Sequence, residues 1–216
     1  MTAAPERARA LAQPDLHLEQ AYWRIGITSI GGIDEAGRGA WAGPVAAGVV
    51  VLPPDAALAA ALHGVRDSKQ MTPIQRSFWA VKIKAAAAGW GIGMASHQEI
   101  DALGIVPATR LAARRALEML AGLPEILLLD WLFLPEVPLP QTALIKGDGR
   151  VLSIACASVL AKTSRDARLV ELDTLYPGYG FAVHKGYGTQ AHQAALRLHG
   201  PCPIHRMSFK PLMQFH

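Results

Sequence analysis

The sequence predicts an α/β fold, a mixed β-sheet with helices packed on its faces. Apolar, β-branched segments come first, at Ile30–Ile33 and Val45–Leu52, joined by a glycine-rich turn as in a hairpin of buried strands. Short apolar strands then alternate with helical stretches, which favours a helix-covered sheet over a closed TIM barrel. The 216 residues are 51% apolar and 18% charged, a globular composition with enough chain for one domain and a sizeable core.

In chain order, Leu11 to Gly26 reads as a helical lead-in with no core of its own. Residues 1–28 are therefore assigned to a lead-in and 29–216 to the main domain, with a helical C-terminal extension from about residue 176. Pro53 and Pro54 stop the second strand. Thr72-Pro73 supplies an N-cap and first turn for a helix reaching Ala88, and Gly89 closes it. Trp90 to Ala95 returns as a strand, and helices follow at Ser96–Leu103 and Pro107–Leu120. Glu125–Asp130 is a short, very apolar strand, and a proline-rich loop leads to a further strand at Thr142–Lys146. Arg150–Leu175 reads as a long helix and Thr189–His199 as another. No internal repeat is visible.

Lys and Arg number 21 against 17 Asp and Glu, a net charge of +4 with pI ≈ 9.3. That mild excess is compatible with a polyanionic partner without specifying one. Cys156 and Cys202 are too few and too far apart for a disulfide framework or a four-cysteine zinc site, so reduced thiols and a cytoplasmic location are expected. The N-terminus has no long apolar stretch of the signal-peptide kind, and no uninterrupted apolar run reaches the ~18 residues of a membrane span.

The chemistry-bearing residues are acids in apolar surroundings. Asp34 and Glu35 follow the apolar end of the first strand, Asp130 ends Ile126–Leu129, and Asp148 lies between a strand and the long helix. A buried charge without a partner costs several kcal/mol, so each acid needs one. Acids at the ends of three separate segments suggest a shared sheet edge, where a divalent cation relieves their repulsion. Oxygen-only ligands select Mg²⁺ or Mn²⁺ over zinc, and two such ions ~3.5–4 Å apart suit phosphodiester hydrolysis. Taken singly, each acid could equally be a cap or an ion-pair residue. Neighbours on a strand point to opposite faces, so Asp34 and Glu35 are expected to share a site only if the strand ends or bulges there, which Gly37 and Gly39 would permit.

The segment Gly32-Ile33-Asp34-Glu35-Ala36-Gly37-Arg38-Gly39, followed by Ala42-Gly43-Pro44-Val45, closely resembles the signature of the ribonuclease HII family. Further elements keep the family's order: Asp67-Ser68-Lys69, Ala95-Ser96 with Glu99-Ile100-Asp101, Lys146-Gly147-Asp148 through Arg165-Asp166, Tyr176 to His192, and Pro203-Ile204-His205-Arg206 with Ser208-Phe209. The resemblance spans about Ile30 to Phe209. It implies a ribonuclease H-like fold, with a five-stranded mixed sheet flanked by helices and a helical C-terminal extension.

The resemblance also implies that Asp34, Glu35, Asp130 and Asp148 bind two divalent ions, Mg²⁺ or Mn²⁺. The implied activity is cleavage of the RNA strand of RNA–DNA hybrids and of the phosphodiester 5′ to a single ribonucleotide in duplex DNA, leaving a 3′-hydroxyl and a 5′-phosphate. Gly37, Arg38 and Gly39 would read the ribose 2′-hydroxyl, and Tyr187 would stack on the next deoxyribose. Lys69 and Lys185 are expected phosphate contacts. Ribonucleotide excision and RNA primer removal would be the setting. No membrane partner is expected, nothing requires more than a monomer, and no replication-clamp recruitment segment is visible.

Some positions depart from the pattern. Ala40-Trp41 replaces Pro-Leu, Gly104 stands for Asn, and Trp131 follows Asp130 where glycine is common. No departure removes a candidate ligand. His184, His192, His199 and His205 lack the spacing of a zinc site and are expected to cap or pack. Asp166 and Asp173 read as helix-face or ion-pair residues. The competing expectations are another nuclease of the same fold or a non-catalytic nucleic-acid-binding protein.

Overall fold

The computed structural model describes residues 13–215. The expected lead-in therefore begins outside the described residues at Leu11, and its helix is α1, His17–Arg24. The sheet strands are β1 Ile30–Ala36, β2 Val45–Val51, β3 Gly89–Ala95, β4 Ile126–Leu129 and β5 Gln141–Ala143. The helices that follow α1 are α2 Leu58–Ala61, α3 Pro73–Ala86, α4 His97–Leu103, α5 Ile105–Leu117, α6 Leu152–Leu175, α7 Phe181–His184 and α8 Gln190–His199. Among the described residues, no helix is long and apolar enough to cross a membrane.

The strand order is β3-β2-β1-β4-β5. The predicted hairpin is present: β1 pairs antiparallel with β2, and β2 with β3, while β1–β4 and β4–β5 are parallel, which makes the sheet mixed. Every residue of β2 is buried, as a central strand covered on both faces requires. On one face α6 and α3 pack through Ala80, Ile83, Cys156, Val159 and Leu160 against Val50 and Leu52. On the other, α5 packs Ala108, Ala112, Ala113 and Ala116 against Val45, Ala47 and Val49. A third cluster, with Leu169, Leu172, Tyr179, Phe181 and Ile204, joins the C-terminal extension to α6 and to Ala42.

Local chemistry sets the boundaries. Thr72 caps α3 in a capping box with Gln75, as Ser96 does for α4 with Glu99. Gly104, at φ +84°, turns the chain so that α5 starts at Ile105, and Pro107 falls in its first turn, where a missing N–H is tolerated. The predicted strand at Thr142–Lys146 stops at Ala143, and Lys146 is left-handed at φ 56°. Helix α6 has no cap from its own N-cap residue. Instead Glu19 of α1 accepts from Ser153 N–H at 2.9 Å, and Asp15 pairs with Val151. Residues 13–28 thus pack into the same body as the sheet.

Candidate active site

Strand β1 neither ends nor bulges at the acids, contrary to the expectation from strand geometry. Its register with β2 runs unbroken through Asp34↔Gly48, Glu35↔Ala47 and Ala36↔Ala46. What opens the site is the other neighbour: β4 is last paired at Ile33↔Leu129, so Asp34 and Glu35 lie beyond its end. A cavity of about 940 Å³ there is lined by both acids, Asp130, the Gly37–Gly39 loop, Lys69 and Tyr187 among others.

Asp34 is 3% exposed, and its Oδ2 makes no hydrogen bond. Burial, then the neighbouring Glu35, pushes its carboxyl well above the usual range, against a hydrogen bond from Ser158. Glu35 is also raised by burial, opposed by the Trp131 indole and Arg38. Asp130 sits just past β4 and accepts from Gly147 N–H at 2.6 Å, tying β4 to the turn that carries Asp148. Asp148 is raised by burial and by Asp67 and Asp130. Lys69 Nζ lies 3.4 Å from Asp148 Oδ2 and 3.5 Å from Asp67 Oδ1. Burial works against its ammonium, but Asp67, Asp34 and Asp148 outweigh that and hold it above the usual lysine value.

These acids are gathered but not closed. Among the described residues, no three His, Cys, Asp or Glu side chains are drawn together to hold a metal ion. The donor set nonetheless fits a hard divalent cation. It is all oxygen, a neighbouring acid helps raise the carboxyls of Asp34, Glu35 and Asp148, and Asp34 presents a buried oxygen without a donor.

The neighbouring loop is fixed from behind. Gly37 has φ +93°, and a Cβ there would fall 1.8 Å from Arg165 Nε, so only glycine fits; a Cβ on Gly39 would meet nothing within 4 Å. Arg165 donates to the carbonyls of Pro44, Lys185 and Ala42 at 2.8–3.2 Å. Arg206 donates to those of Gly43 and Arg38 at 3.0 and 2.9 Å. Both arginines are 0% exposed. They join the Gly37–Gly39 loop to the Lys185–Tyr187 segment, and the sequence reading assigned them no role. Two arginines inside matching motifs were the available signal.

Lys185 is left-handed at φ 54°, and its ammonium donates to the Ala182 carbonyl. The Tyr187 ring lies 5.4 Å from both Lys162 Nζ and Arg165 Cζ. Asp166 pairs with Arg76 at 3.0 Å and Lys162 at 2.7 Å. His192 and His205 hydrogen-bond to each other at 3.0 Å, and His184 stacks on His192 at 4.5 Å, a packed group rather than a zinc site.

The family model described as Ribonuclease HII matches residues 31–212. A ribonuclease HII of Thermus thermophilus is 50% identical over 197 residues, covering 91% of this chain and 93% of the relative. The solved ribonuclease H2 of Pyrococcus horikoshii superposes with TM-score 0.69 at 25% identity, covering 87% of this chain and 96% of that one. A Bst-RNase HIII solved in complex with Mn²⁺ shares the fold, with TM-score 0.65 at 18% identity over 99% of this chain and 76% of its own. Sheet order, helical extension and the extent of these matches together show that the chain belongs to the ribonuclease HII family, metal-dependent endonucleases of the hydrolase class with a ribonuclease H-like fold.

Proposed function

We propose that this protein cleaves the RNA strand of RNA–DNA hybrids and the phosphodiester 5′ to single ribonucleotides in duplex DNA, leaving a 3′-hydroxyl and a 5′-phosphate, in ribonucleotide excision and RNA primer removal. The carrying observation is the conjunction of a buried, under-bonded carboxylate, a glycine loop and a tyrosine in the lining of one cavity. Asp34, Glu35, Asp130 and Asp148 would hold two divalent ions, Mg²⁺ or Mn²⁺. When bound, such ions position the scissile phosphate, activate water and stabilise the leaving oxygen.

The protein's own groups do the selecting. Gly39 leaves the loop backbone open to the ribose 2′-hydroxyl, the group that distinguishes RNA from DNA. Tyr187, in the lining of the same cavity, offers its ring to the sugar of the next nucleotide. Lys69 and Lys185 on the rim, with Lys162 beside Tyr187, favour the approach of phosphates. The nearby Arg165 and Arg206 keep both reading segments in one register.

The test is incubation of a DNA duplex carrying one ribonucleotide, and its all-DNA counterpart, with Mg²⁺, Mn²⁺ or EDTA. Cutting at the ribonucleotide alone, abolished by EDTA, is expected. Equal cutting of all-DNA duplex, or activity persisting in EDTA, counts against the proposal, and binding without cutting would mark a non-catalytic nucleic-acid-binding protein.

A further inference from the structure

Trp131 stands directly after Asp130, beyond the end of β4, and its indole meets two functional groups at once. Its Nε1–H donates to Glu35 Oε1 at 2.7 Å. Its ring carries the Arg38 guanidinium, with Cζ 3.7 Å from the centroid, a cation–π contact. Arg38 Nη1 in turn approaches the same Glu35 oxygen at 3.4 Å. One oxygen of a candidate metal ligand therefore accepts from the indole and faces a guanidinium that belongs to the substrate-reading loop.

The loop backbone is held independently, because the Arg38 carbonyl accepts from Arg206. The Arg38 side chain is the part left for Trp131 to place, and it is partly open, with 38% of its surface exposed on the cavity wall. A divalent cation drawing on Glu35 would weaken the hold of that carboxylate on Arg38. The guanidinium, still flat on the indole, would then face the sugar-phosphate of the incoming ribonucleotide with its charge less neutralised.

We propose that Trp131 is a positioning residue that couples the two halves of the site, so that divalent-cation binding at Glu35 strengthens recognition of the ribonucleotide strand through Arg38. This rests on the ribonuclease reading of the site. Such coupling is reciprocal: substrate tightens the cation as much as the cation tightens substrate.

Equilibrium binding of the intact chain tests it without turnover. Fluorescence anisotropy measures affinity for a duplex with one ribonucleotide and for the matched all-DNA duplex. Measurements are made in EDTA and in Ca²⁺, an oxygen-seeking divalent cation, with the duplex checked intact on a gel. In wild type the preference for the ribonucleotide duplex should rise about fivefold or more on going from EDTA to Ca²⁺, the lower end of usual coupling. Trp131→Phe keeps the ring but loses the N–H. It should lose most of that rise while keeping the wild-type Tm in EDTA. Trp131→Leu should lose the rise altogether and bind both duplexes more weakly. A purely structural role would lower both affinities in parallel and leave the rise intact. A wild-type preference that does not rise with Ca²⁺, or a rise unchanged in both variants, overturns the coupling and leaves the ribonuclease reading standing. A wild type with no preference in either condition overturns both.

Discussion

Two regions of this molecule bury charge, and they treat it in opposite ways. At the open end of β1, carboxylates crowd together, Asp34 keeps an oxygen without a donor, and burial raises the pKa of Asp34, Glu35 and Asp148 alike. Behind the neighbouring loop, Arg165 and Arg206 are wholly buried, and among the described residues neither has a carboxylate within ion-pair reach. Backbone carbonyls surround them instead, three on Arg165 and two on Arg206. Burial, then Arg165, pulls Arg206 down only to about 9, so it stays charged at neutral pH. Several converging carbonyl dipoles can hold a guanidinium inside a fold, whereas a cluster of acids at a sheet edge is completed only by a cation from outside.

The largest effect expected from this contrast is on activity. Asp34→Asn should reduce cleavage at a single ribonucleotide by roughly 10³-fold or more, since it removes a charge that the cation and the transition state both require. In EDTA its fold should be at least as stable as wild type, because an under-bonded buried charge has gone. Mg²⁺ should raise the Tm of wild type and not that of Asp34→Asn. A variant destabilised in EDTA, or stabilised by Mg²⁺ as much as wild type, would place Asp34 with the structural charges.

On the other side of the comparison, Arg165→Met should destabilise the fold by about 3 kcal/mol or more, because three buried carbonyls lose their donor. Gly37→Ala should cost about 2 kcal/mol or more, as its Cβ would strike Arg165 with the backbone at φ +93°. Gly39→Ala has open space ahead of it and should change stability by no more than about 0.5 kcal/mol, yet impair cleavage at single ribonucleotides. Urea denaturation read beside cleavage separates the two glycines, and equal stability losses would show that the loop is held in some other way.

The two regions also differed in how far the sequence revealed them. Asp34, Glu35, Asp130 and Asp148 stood out because acids at the ends of apolar strands break the pattern around them. Sequence spacing could not say that β4 would stop at Leu129, and that stop, rather than any bulge in β1, lets two acids on opposite strand faces reach one cavity. The arginines left no such trace. Their partners are carbonyls more than a hundred residues away for Pro44, Ala42, Gly43 and Arg38, and carbonyls carry no side-chain signal. Lys69 and Lys185 read naturally as phosphate contacts, while the fold directs their ammoniums to Asp67 with Asp148 and to the Ala182 carbonyl. Trp131 was visible only as a departure, and its link to Glu35 and Arg38 needed the fold.

Tyr187 lies where the regions meet, so its loss should be selective rather than total. Tyr187→Ala should lower kcat/KM on single-ribonucleotide duplexes about tenfold more than on long RNA–DNA hybrids, the scale of one lost stacking contact. Equal losses on the two substrates would assign the ring to packing.

The smallest effect concerns the histidines behind Tyr187. A carbonyl only accepts, so His192 Nδ1 carries the proton it donates to Tyr187 O at 3.0 Å, and its Nε2 must accept from His205 Nε2–H. His205 Nδ1 in turn lies 2.9 Å from the Cys202 N–H and 3.0 Å from the Cys202 carbonyl, which ties the ring to its own loop. Trp41, Phe181 and His184 pack around His192 and offer no anion. Burial chiefly, with His184 and His205 against it, pulls His192 from 6.5 down to about 4, despite the Tyr187 carbonyl. Unfolded, the ring takes up a proton near 6.5, and folded it resists until about 4. Native stability is therefore fully present above 6.5 and is lost as pH falls toward 4. Thermal melts in EDTA across that window should show Tm falling with pH in wild type and falling less steeply in His192→Gln, by a few degrees on the usual scale of about 2–4 °C per kcal/mol. Parallel curves for the two proteins would mean that the Tyr187 segment is held without the neutral imidazole, and that the arginines alone join the reading loops.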